Sequence, residues 1–300
     1  MSTEIEQTLN NGTFCSLSIS IWQASKKVAK GMVEIGHDAD ENLFRVQKDL
    51  IERDHLKPIR QAAQKAGEVL HGKSLPFQVR GIYYVPNRLV LEAVEQIRGF
   101  ERDFRNQVDE FCRNYPRYRE EARARLNGHF QAHDYPEDVR EKFDWNLSMM
   151  AFSAPNQLQA VSPEMYQEAM GRFHQDIEEF RQNSVALLRE RFAGLVSHVV
   201  ERLTPEPNGT RKIFKNTLVG NLRDFLKDFE GLNFTSDQEL QAQVERVRGL
   251  MNGVEPALLR DSSAMAGRIA ASMSEVQKQV TAMIENAPVR RIRFKREEAA

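Results

Sequence analysis

The chain has 300 residues, of which 41% are hydrophobic, so it can bury the core of one large domain or of two ordinary ones. Its 42 basic and 43 acidic residues give a formal net charge of -1, which excludes a general charge attraction to nucleic acid or to an anionic membrane. The two cysteines, Cys15 and Cys112, are isolated in the sequence and favour a reducing compartment over a disulfide framework or a zinc cluster.

The N-terminal residues 1–12 are polar, and we expect them to be disordered or loosely docked. They lack the apolar core of a signal peptide. No stretch of the chain approaches the roughly 18 consecutive apolar residues of a membrane-spanning helix. We therefore expect a cytoplasmic protein that makes no membrane contact.

The first regular elements predicted are two strands. From Cys15 to Trp22, apolar and small polar residues alternate, a period of two that is typical of a strand with one buried face. Residues 75–86 are bracketed by prolines and rich in aromatic and β-branched residues, which favours a second strand. Because one strand alone cannot satisfy its backbone groups, residues 14–22 are expected to pair with residues 77–85. Between them, residues 26–72 have a helical composition.

Three helices are predicted in the rest of the first half. Residues 87–115 carry apolar side chains at steps of three and four, the pattern of one buried helix face, and Pro116 is expected to end that helix. Residues 117–127 are rich in arginine and predict a short separate helix. Residues 136–147 predict another, because Val139, Phe143 and Leu147 are spaced four residues apart.

The strongest pattern in the chain is a single amphipathic helix from Pro163 to Leu203. Ser162 precedes it as a capping residue, and proline at the first helical position is favourable. At 1.5 Å per residue the helix would be roughly 60 Å long, more than the diameter of a small domain. It must therefore pack lengthwise against other helices or against a partner. Its apolar stripe consists of Tyr166, Met170, Phe173, Ile177, Phe180, Leu188, Phe192, Leu195, Val199 and Leu203.

The later segments are expected to cover this helix. The proline-rich and glycine-containing residues 204–210 predict a turn, so the next helix should run antiparallel. Helices are predicted at 211–230, 236–253 and 256–286, the second of them opened by a capping box from Ser236 to Glu239. One helix of about 20 residues cannot cover a helix twice as long, so the three segments would share the task.

Two histidines are the only candidates for a metal site. His129 and His133 are four residues apart with Asp134 adjacent, a spacing that on a helix would aim both imidazoles at one metal ion. A metal-dependent hydrolase is therefore an alternative function. Gly128 before them and Pro136 after them argue against a helix there, and the H-E-x-x-H pattern is missing. We favour a pair of surface loop residues.

The sequence assigns no catalytic residue, metal ligand or cofactor site. It contains no P-loop, no Rossmann glycine fingerprint, no G-x-S-x-G elbow and no C-x-x-C pair. Paired carboxylates such as Glu178 and Glu179 follow helical charge patterning and are interpreted as solvated faces. The 17 phenylalanines mostly fit helix stripes, although a phenylalanine row left exposed in the monomer would be a partner-binding face.

The C-terminal tail is the one local basic patch, and it carries the weak candidate contact residues. Three interpretations stay open: contact with nucleic acid or an acidic protein groove, addition of a strand to the small sheet through Ile292 and Phe294, and a solvated terminus. The candidate residues are Arg290, Arg291, Arg293, Phe294, Lys295 and Arg296.

Several stretches resemble a domain-of-unknown-function family of bacteria and their phages. They are the early strand with Ile19, Ile21 and Trp22 followed by two lysines, the segment 83–86 that enters the next helix, and the stretch 221–233. Members of that family are often encoded beside a MoxR-like AAA+ ATPase and a protein with a von Willebrand factor A domain. The resemblance implies a role in an ATPase-driven remodelling system, and it supplies no catalytic residues.

Together these patterns predict a mainly α protein, an elongated bundle of long antiparallel helices with a small two- or three-stranded β element. We expect an N-terminal α+β part at 1–155 and a long-helix antiparallel bundle at 156–300, or one continuous domain. The function predicted is a non-enzymatic scaffold or adaptor for protein partners, with self-association as an option. The alternatives are a nucleic-acid-associated protein that uses the basic tail and the metal-dependent hydrolase.

Overall fold

A computed structural model gives the fold and describes residues 2–28, 45–206 and 216–286. Its helices are α1 Ser2–Asn10, α2 Lys57–Gly72, α3 Asn87–Leu126, α4 Pro163–Leu203, α5 Asn216–Leu232, α6 Gln238–Met251, α7 Pro256–Asp261 and α8 Ser263–Glu285. Its strands are β1 Gly12–Ser20, β2 Ser25–Lys27, β3 Gln47–Asp49, β4 Leu75–Pro76, β5 Tyr83–Pro86 and β6 Asp144–Met150. The predicted fold class is confirmed: the described chain is mainly α, with long helices and small antiparallel sheets.

Contacts divide the chain into two compact units. The sheet unit is Gly12–Phe152, and the bundle unit combines Met1–Asn11 with Ser153–Ala300. The predicted domains 1–155 and 156–300 stay a prediction. None of the helices within the described ranges is long and apolar enough to cross a membrane.

The main sheet of the sheet unit has four antiparallel strands in the order β4-β5-β1-β6. β1 pairs with β5 from Gly12, opposite Pro86, to Cys15, opposite Tyr83, so the predicted pairing of these two segments is confirmed over a shorter length. The other edge of β1 pairs with β6 from Phe14, opposite Met150, to Ser20, opposite Asp144.

The helix predicted at 136–147 is wrong. Residues Val139–Lys142 form only a 3-10 turn, and Asp144–Met150 is strand β6. The spacing of Val139, Phe143 and Leu147 fits a helix, but Trp145, Leu147 and Met149 also alternate with polar residues. β5 pairs with only one edge of β1, so the backbone groups on the other edge need partners as well. Pairing with that edge favours the strand pattern of residues 144–150 over the helix pattern.

An aromatic cluster forms the core at one end of this sheet. The ring of Phe14 lies 4.8 Å from that of Phe77, 5.4 Å from that of Tyr84 and 4.7 Å from that of Phe152, measured between centroids. Gly12 begins β1 directly against this cluster. A Cβ atom at Gly12 would come within 2.2 Å of the Tyr84 ring, so only glycine fits at that position.

Helix α3 continues through Pro116 to Leu126, so the predicted break at that proline and the separate helix at 117–127 are wrong. Proline removes one backbone hydrogen bond from a helix interior. Packing beside it compensates for that loss: the Tyr115 ring lies 5.7 Å from the Trp22 ring, and the Tyr115 hydroxyl donates to the backbone oxygen of Pro136 at 3.1 Å.

The segment predicted as helical between the first two strands is more varied. Strands β2 and β3 pair as a small separate antiparallel sheet, so the helical prediction is wrong at both of them. It is confirmed for α2, which packs along α3. Residues 29–44 lie outside the described ranges.

In the bundle unit, the predicted long helix is confirmed with its bounds as α4, and the Ser162 hydroxyl accepts a hydrogen bond from the Met165 backbone N–H at 3.3 Å. The polar N-terminus is not disordered, because it forms α1 with Ile5 and Thr8 buried. The turn predicted at 204–210 lies partly outside the described residues. Within the described part, α5 begins at Asn216.

The last two predicted helices also differ in detail. The cap of α6 is Asp237, whose carboxylate accepts from the Leu240 backbone N–H at 3.1 Å, so the capping box that began at Ser236 is wrong by one residue. The final predicted helix is divided at Ser262 into α7 and α8. The Ser262 hydroxyl caps α8 by accepting from the Met265 N–H at 3.2 Å.

Candidate protein-binding surface

The directions of the helices that pack on α4 follow from their contacts. Phe192 of α4 stacks on Phe225 of α5 with ring centroids 5.7 Å apart, and Phe180 stacks on Phe234, just after α5, at 5.6 Å. The later residue of the α5 segment, Phe234, therefore contacts the earlier residue of α4, Phe180. The two helices are antiparallel.

Helix α6 reverses the direction again. The Arg248 guanidinium of α6 donates to the backbone oxygen of Leu226 at 2.7 Å, and Arg223 of α5 donates to that of Val254, beyond the end of α6, at 2.6 Å. The chain therefore runs along α6 antiparallel to α5 and parallel to α4.

Helix α8 returns toward the N-terminal end of α4. Arg246 of α6 donates to Gln279 of α8 at 3.5 Å, while the start of α6 and the end of α8 both contact Arg189 of α4. α8 is therefore antiparallel to α6 and to α4. The α5–α6 connection and the C-terminal end of α8 reach α4 in the same region, between Phe180 and Arg189.

Arg189 holds this end of the bundle together. Its guanidinium donates to the Asp237 carboxylate at 2.7 and 3.1 Å, to Glu239 at 3.1 Å and to the backbone oxygen of Met283 at 3.0 Å. The Arg189 and Asp237 side chains are only 14% and 6% exposed. One arginine thus joins α4 to the start of α6 and the end of α8, and a charged pair this buried is held by two parallel hydrogen bonds.

The same contacts set the ionisation of Asp237. Burial alone would raise its pKa, but hydrogen bonds from Arg189 and from the backbone N–H groups of Leu240 and Glu239 outweigh that effect. The Asp237 pKa is therefore held below its ordinary value, and the carboxylate is charged whenever the bundle is folded near neutral pH.

Beyond this end of the bundle, α4 extends without full cover. We define residues 163–176 as the α4 overhang, a stretch of about 21 Å at 1.5 Å per residue. None of these residues is buried, whereas Ile177 and Phe180, which follow immediately, are each 1% exposed. The overhang is nevertheless amphipathic: Tyr166, Met170 and Phe173 continue the stripe that Ile177 and Phe180 begin.

Further apolar side chains flank this stripe. Val161, just before α4, is 75% exposed, and Met165 is 54% exposed, while Tyr166, Met170 and Phe173 are partly exposed. An apolar row on a helix that its own bundle only partly buries is typical of a protein-binding surface. The α4 overhang is therefore the candidate functional site.

The α4 overhang is also acidic. Residues 163–176 contain three acidic residues against one basic residue, a formal net charge of -2 with histidine neutral, and two further carboxylates follow directly. The acidic residues are Glu164, Glu168, Asp176, Glu178 and Glu179. Arg172 pairs with Glu168 at 2.5 Å, and the Arg181 guanidinium lies 4.0 Å from the Glu178 carboxylate. A ligand for this surface would combine apolar side chains with positive charge.

The sheet unit has a polar cleft of about 490 Å³ beside β2 and β3. Its buried charge is Asp134, whose carboxylate lies 2.7 Å from the Lys48 ammonium, 3.9 Å from that of Lys26 and 3.6 Å from the His133 imidazole. Lys48 also donates to the backbone oxygen of His129 at 2.7 Å. These contacts fasten strand β3 to the turns at 127–134, so the cluster has a structural explanation.

The residues selected from the sequence are distributed as follows. His129 and His133 lie on two separate 3-10 turns, so they do not share a helix face. Among the described residues, no group of three histidine, cysteine, aspartate or glutamate side chains could hold a metal ion. The tail contacts at 290–296 lie outside the described residues and stay a prediction.

The sequence analysis missed the α4 overhang as a site, although its signal was visible. The long stripe and the shorter later segments were both predicted, but the three later segments were expected to cover the stripe between them. Which part is uncovered depends on where α5, α6 and α8 meet α4. That information lies in contacts between residues far apart in the chain.

Comparison with protein families gives a match. The family model described as "Protein of unknown function (DUF3150)" matches residues 9–281, which is nearly the whole chain. The chain therefore belongs to this family, as the resemblance to a domain-of-unknown-function family predicted. No curated protein and no solved structure matches it.

Proposed function

We propose that this member of the DUF3150 family is a non-enzymatic helical scaffold or adaptor that binds a protein partner through the α4 overhang. The observation that supports the proposal most directly is the apolar stripe, which continues through Tyr166, Met170 and Phe173 although no residue of 163–176 is buried. Burying such side chains is worth about 25 cal/mol per Å² of apolar surface, so a partner that covers them gains binding energy.

The spacing of the stripe suits one mode of recognition. Residues 166, 170, 173 and 177 follow one another at steps of four, three and four, the anchor pattern of a helix that lies in an apolar groove. The partner should therefore offer a groove or a helix pair that accepts one helix. The family resemblance suggests a MoxR-like AAA+ ATPase or a protein with a von Willebrand factor A domain as that partner.

Site-specific crosslinking tests the proposal. A photo-reactive amino acid is placed in the full-length protein at Met170 on the stripe or, as a control, at Gln175. Five residues of helix rotate the side chain by about 140°, so Gln175 lies away from the stripe. After irradiation in the native host, crosslinked proteins are identified by mass spectrometry.

We expect one crosslinked partner at Met170 and none, or far less of it, at Gln175. Recovery of the ATPase or the von Willebrand factor A protein would assign the partner that the resemblance suggests. A crosslinked second copy of this chain would assign the surface to self-association. Equal crosslinking at the two positions, or none at either, would contradict the proposal.

A further inference from the structure

The C-terminal end of α8 directs the chain toward the α4 overhang. α8 is antiparallel to α4, and its Met283 backbone oxygen accepts from Arg189. The last described residue, Asn286, follows one turn later. The described chain therefore ends beside the middle of α4, and the axis of α8 points toward the N-terminal part of α4, where the stripe is partly exposed.

The remaining chain is long enough to reach the stripe. Along α4, Phe173 lies sixteen residues before Arg189, a distance of about 24 Å. An extended chain covers about 3.3 Å per residue, so Phe294, eight residues beyond Asn286, can lie up to about 26 Å away. Ile292 and Phe294 can therefore reach the region between Phe173 and Ile177 without any change in the bundle.

The chemistry of the two segments is complementary. Residues 290–296 contain five basic residues and no acidic residue, with Ile292 and Phe294 between them. The α4 overhang has a net charge of -2, with Glu178 and Glu179 directly after it, and an apolar stripe of Tyr166, Met170 and Phe173. Ile292 and Phe294 can cover the stripe at its Phe173 end while the arginines and lysine lie beside the carboxylates, an attraction that salt weakens.

We propose that residues 287–300 bind the α4 overhang of the same chain and compete there with the protein partner. The inference deepens the proposed function, and its regulatory consequence rests on it. Because the tail is tethered beside its target, its effective concentration is in the millimolar range, so even a weak contact keeps the surface occupied. A partner must displace the tail before it binds.

Hydrogen exchange of the purified full-length protein tests the contact without any partner. The variant Ile292→Asp with Phe294→Asp removes the apolar part of the tail. The matched control, Glu297→Gln with Glu298→Gln, changes the same segment outside the basic stretch. Exchange is read by mass spectrometry for peptides that cover the α4 overhang and for peptides from α5 as an internal reference.

We expect amides of the α4 overhang to exchange at least about tenfold faster in the aspartate variant than in the wild type or the control, with α5 unchanged. Raising the salt from about 0.1 M to about 1 M, which shortens the screening length from about 10 Å to 3 Å, should shift the wild type in the same direction. Identical exchange in all variants would overturn the inference, and so would protection that rises with protein concentration, which would assign the surface to a second copy.

The crosslinking experiment separates this inference from the proposed function. If the inference is correct, the aspartate variant crosslinks more partner at Met170 than the wild type does. If partner crosslinking occurs but hydrogen exchange is unchanged by the tail variant, only the inference fails. If the tail protects the α4 overhang but no partner crosslinks, the intramolecular contact stands and the proposed function fails.

Discussion

Replacing Asp237 by asparagine should destabilise the bundle unit by about 3 kcal/mol. The substitution removes the carboxylate that receives two hydrogen bonds from Arg189, at 2.7 and 3.1 Å, and leaves a guanidinium that is only 14% exposed. Removing one partner of a buried pair costs about 3–5 kcal/mol. We expect the lower end of that range because Arg189 keeps the Met283 backbone oxygen and the exposed Glu239 carboxylate as acceptors.

Asparagine can still cap α6, so Asp237→Asn measures the contribution of the ion pair without the loss of the helix cap. Asp237→Ala also removes the cap that Leu240 uses, and should cost about 1 kcal/mol more. The matched control is Glu239→Gln, which alters the other acidic partner of Arg189. Its side chain is 69% exposed, so the expected loss is below about 1 kcal/mol.

The assay is urea unfolding followed by circular dichroism at several pH values. Because the folded-state pKa of Asp237 is lowered, its contribution is fully present above the unfolded-state value of about 4 and is lost as the pH falls through the folded-state value. The difference between wild type and Asp237→Asn should therefore shrink in acid. A difference below about 0.5 kcal/mol at neutral pH, or one that does not change in acid, would refute the reasoning.

Three further predictions, which use five substitutions, test other parts of the structure by the same unfolding assay. Gly12→Ala should destabilise the sheet unit by about 1–3 kcal/mol through its clash with the buried tyrosine ring, whereas Gly67→Ala, in α2 with open space around it, should stabilise it by about 0.5–1 kcal/mol. Pro116→Ala should stabilise α3 by about 1–3 kcal/mol, because alanine restores the backbone N–H donor inside a continuous helix. An unchanged urea midpoint of unfolding would contradict this expectation. Phe180→Ala should cost about 3–5 kcal/mol and Phe173→Ala only about 1–2 kcal/mol, since Phe180 is fully buried and Phe173 is partly exposed; equal losses would show that the α4 overhang is covered in solution.

The sequence by itself determined the elements whose signals are local. The helix α4 was predicted with its bounds because a period of three and four persists along its whole length and because Ser162 and Pro163 are favourable at a helix start. The pairing of the first two strands was also predicted, since period two and aromatic content point the same way. These features need no knowledge of distant residues.

Only the tertiary structure decided the features that depend on contacts between distant segments. β6 is a strand because β1 offers it an edge, although the spacing of Val139, Phe143 and Leu147 favours a helix. α3 continues through Pro116 because the packing of Tyr115 compensates for the lost hydrogen bond.

The position of the candidate site, the α4 overhang, also depends on contacts between distant segments. The sequence predicted an apolar stripe along the whole of α4, but periodicity is the same in covered and uncovered turns. Asp237 and Met283 meet α4 at Arg189, Phe234 stacks on Phe180 further along, and the α4 overhang lies beyond the last buried residue, Ile177. Hydrophobic pattern is a local property of the chain, whereas burial depends on which helix ends lie together, and that is why the surface became visible only in three dimensions.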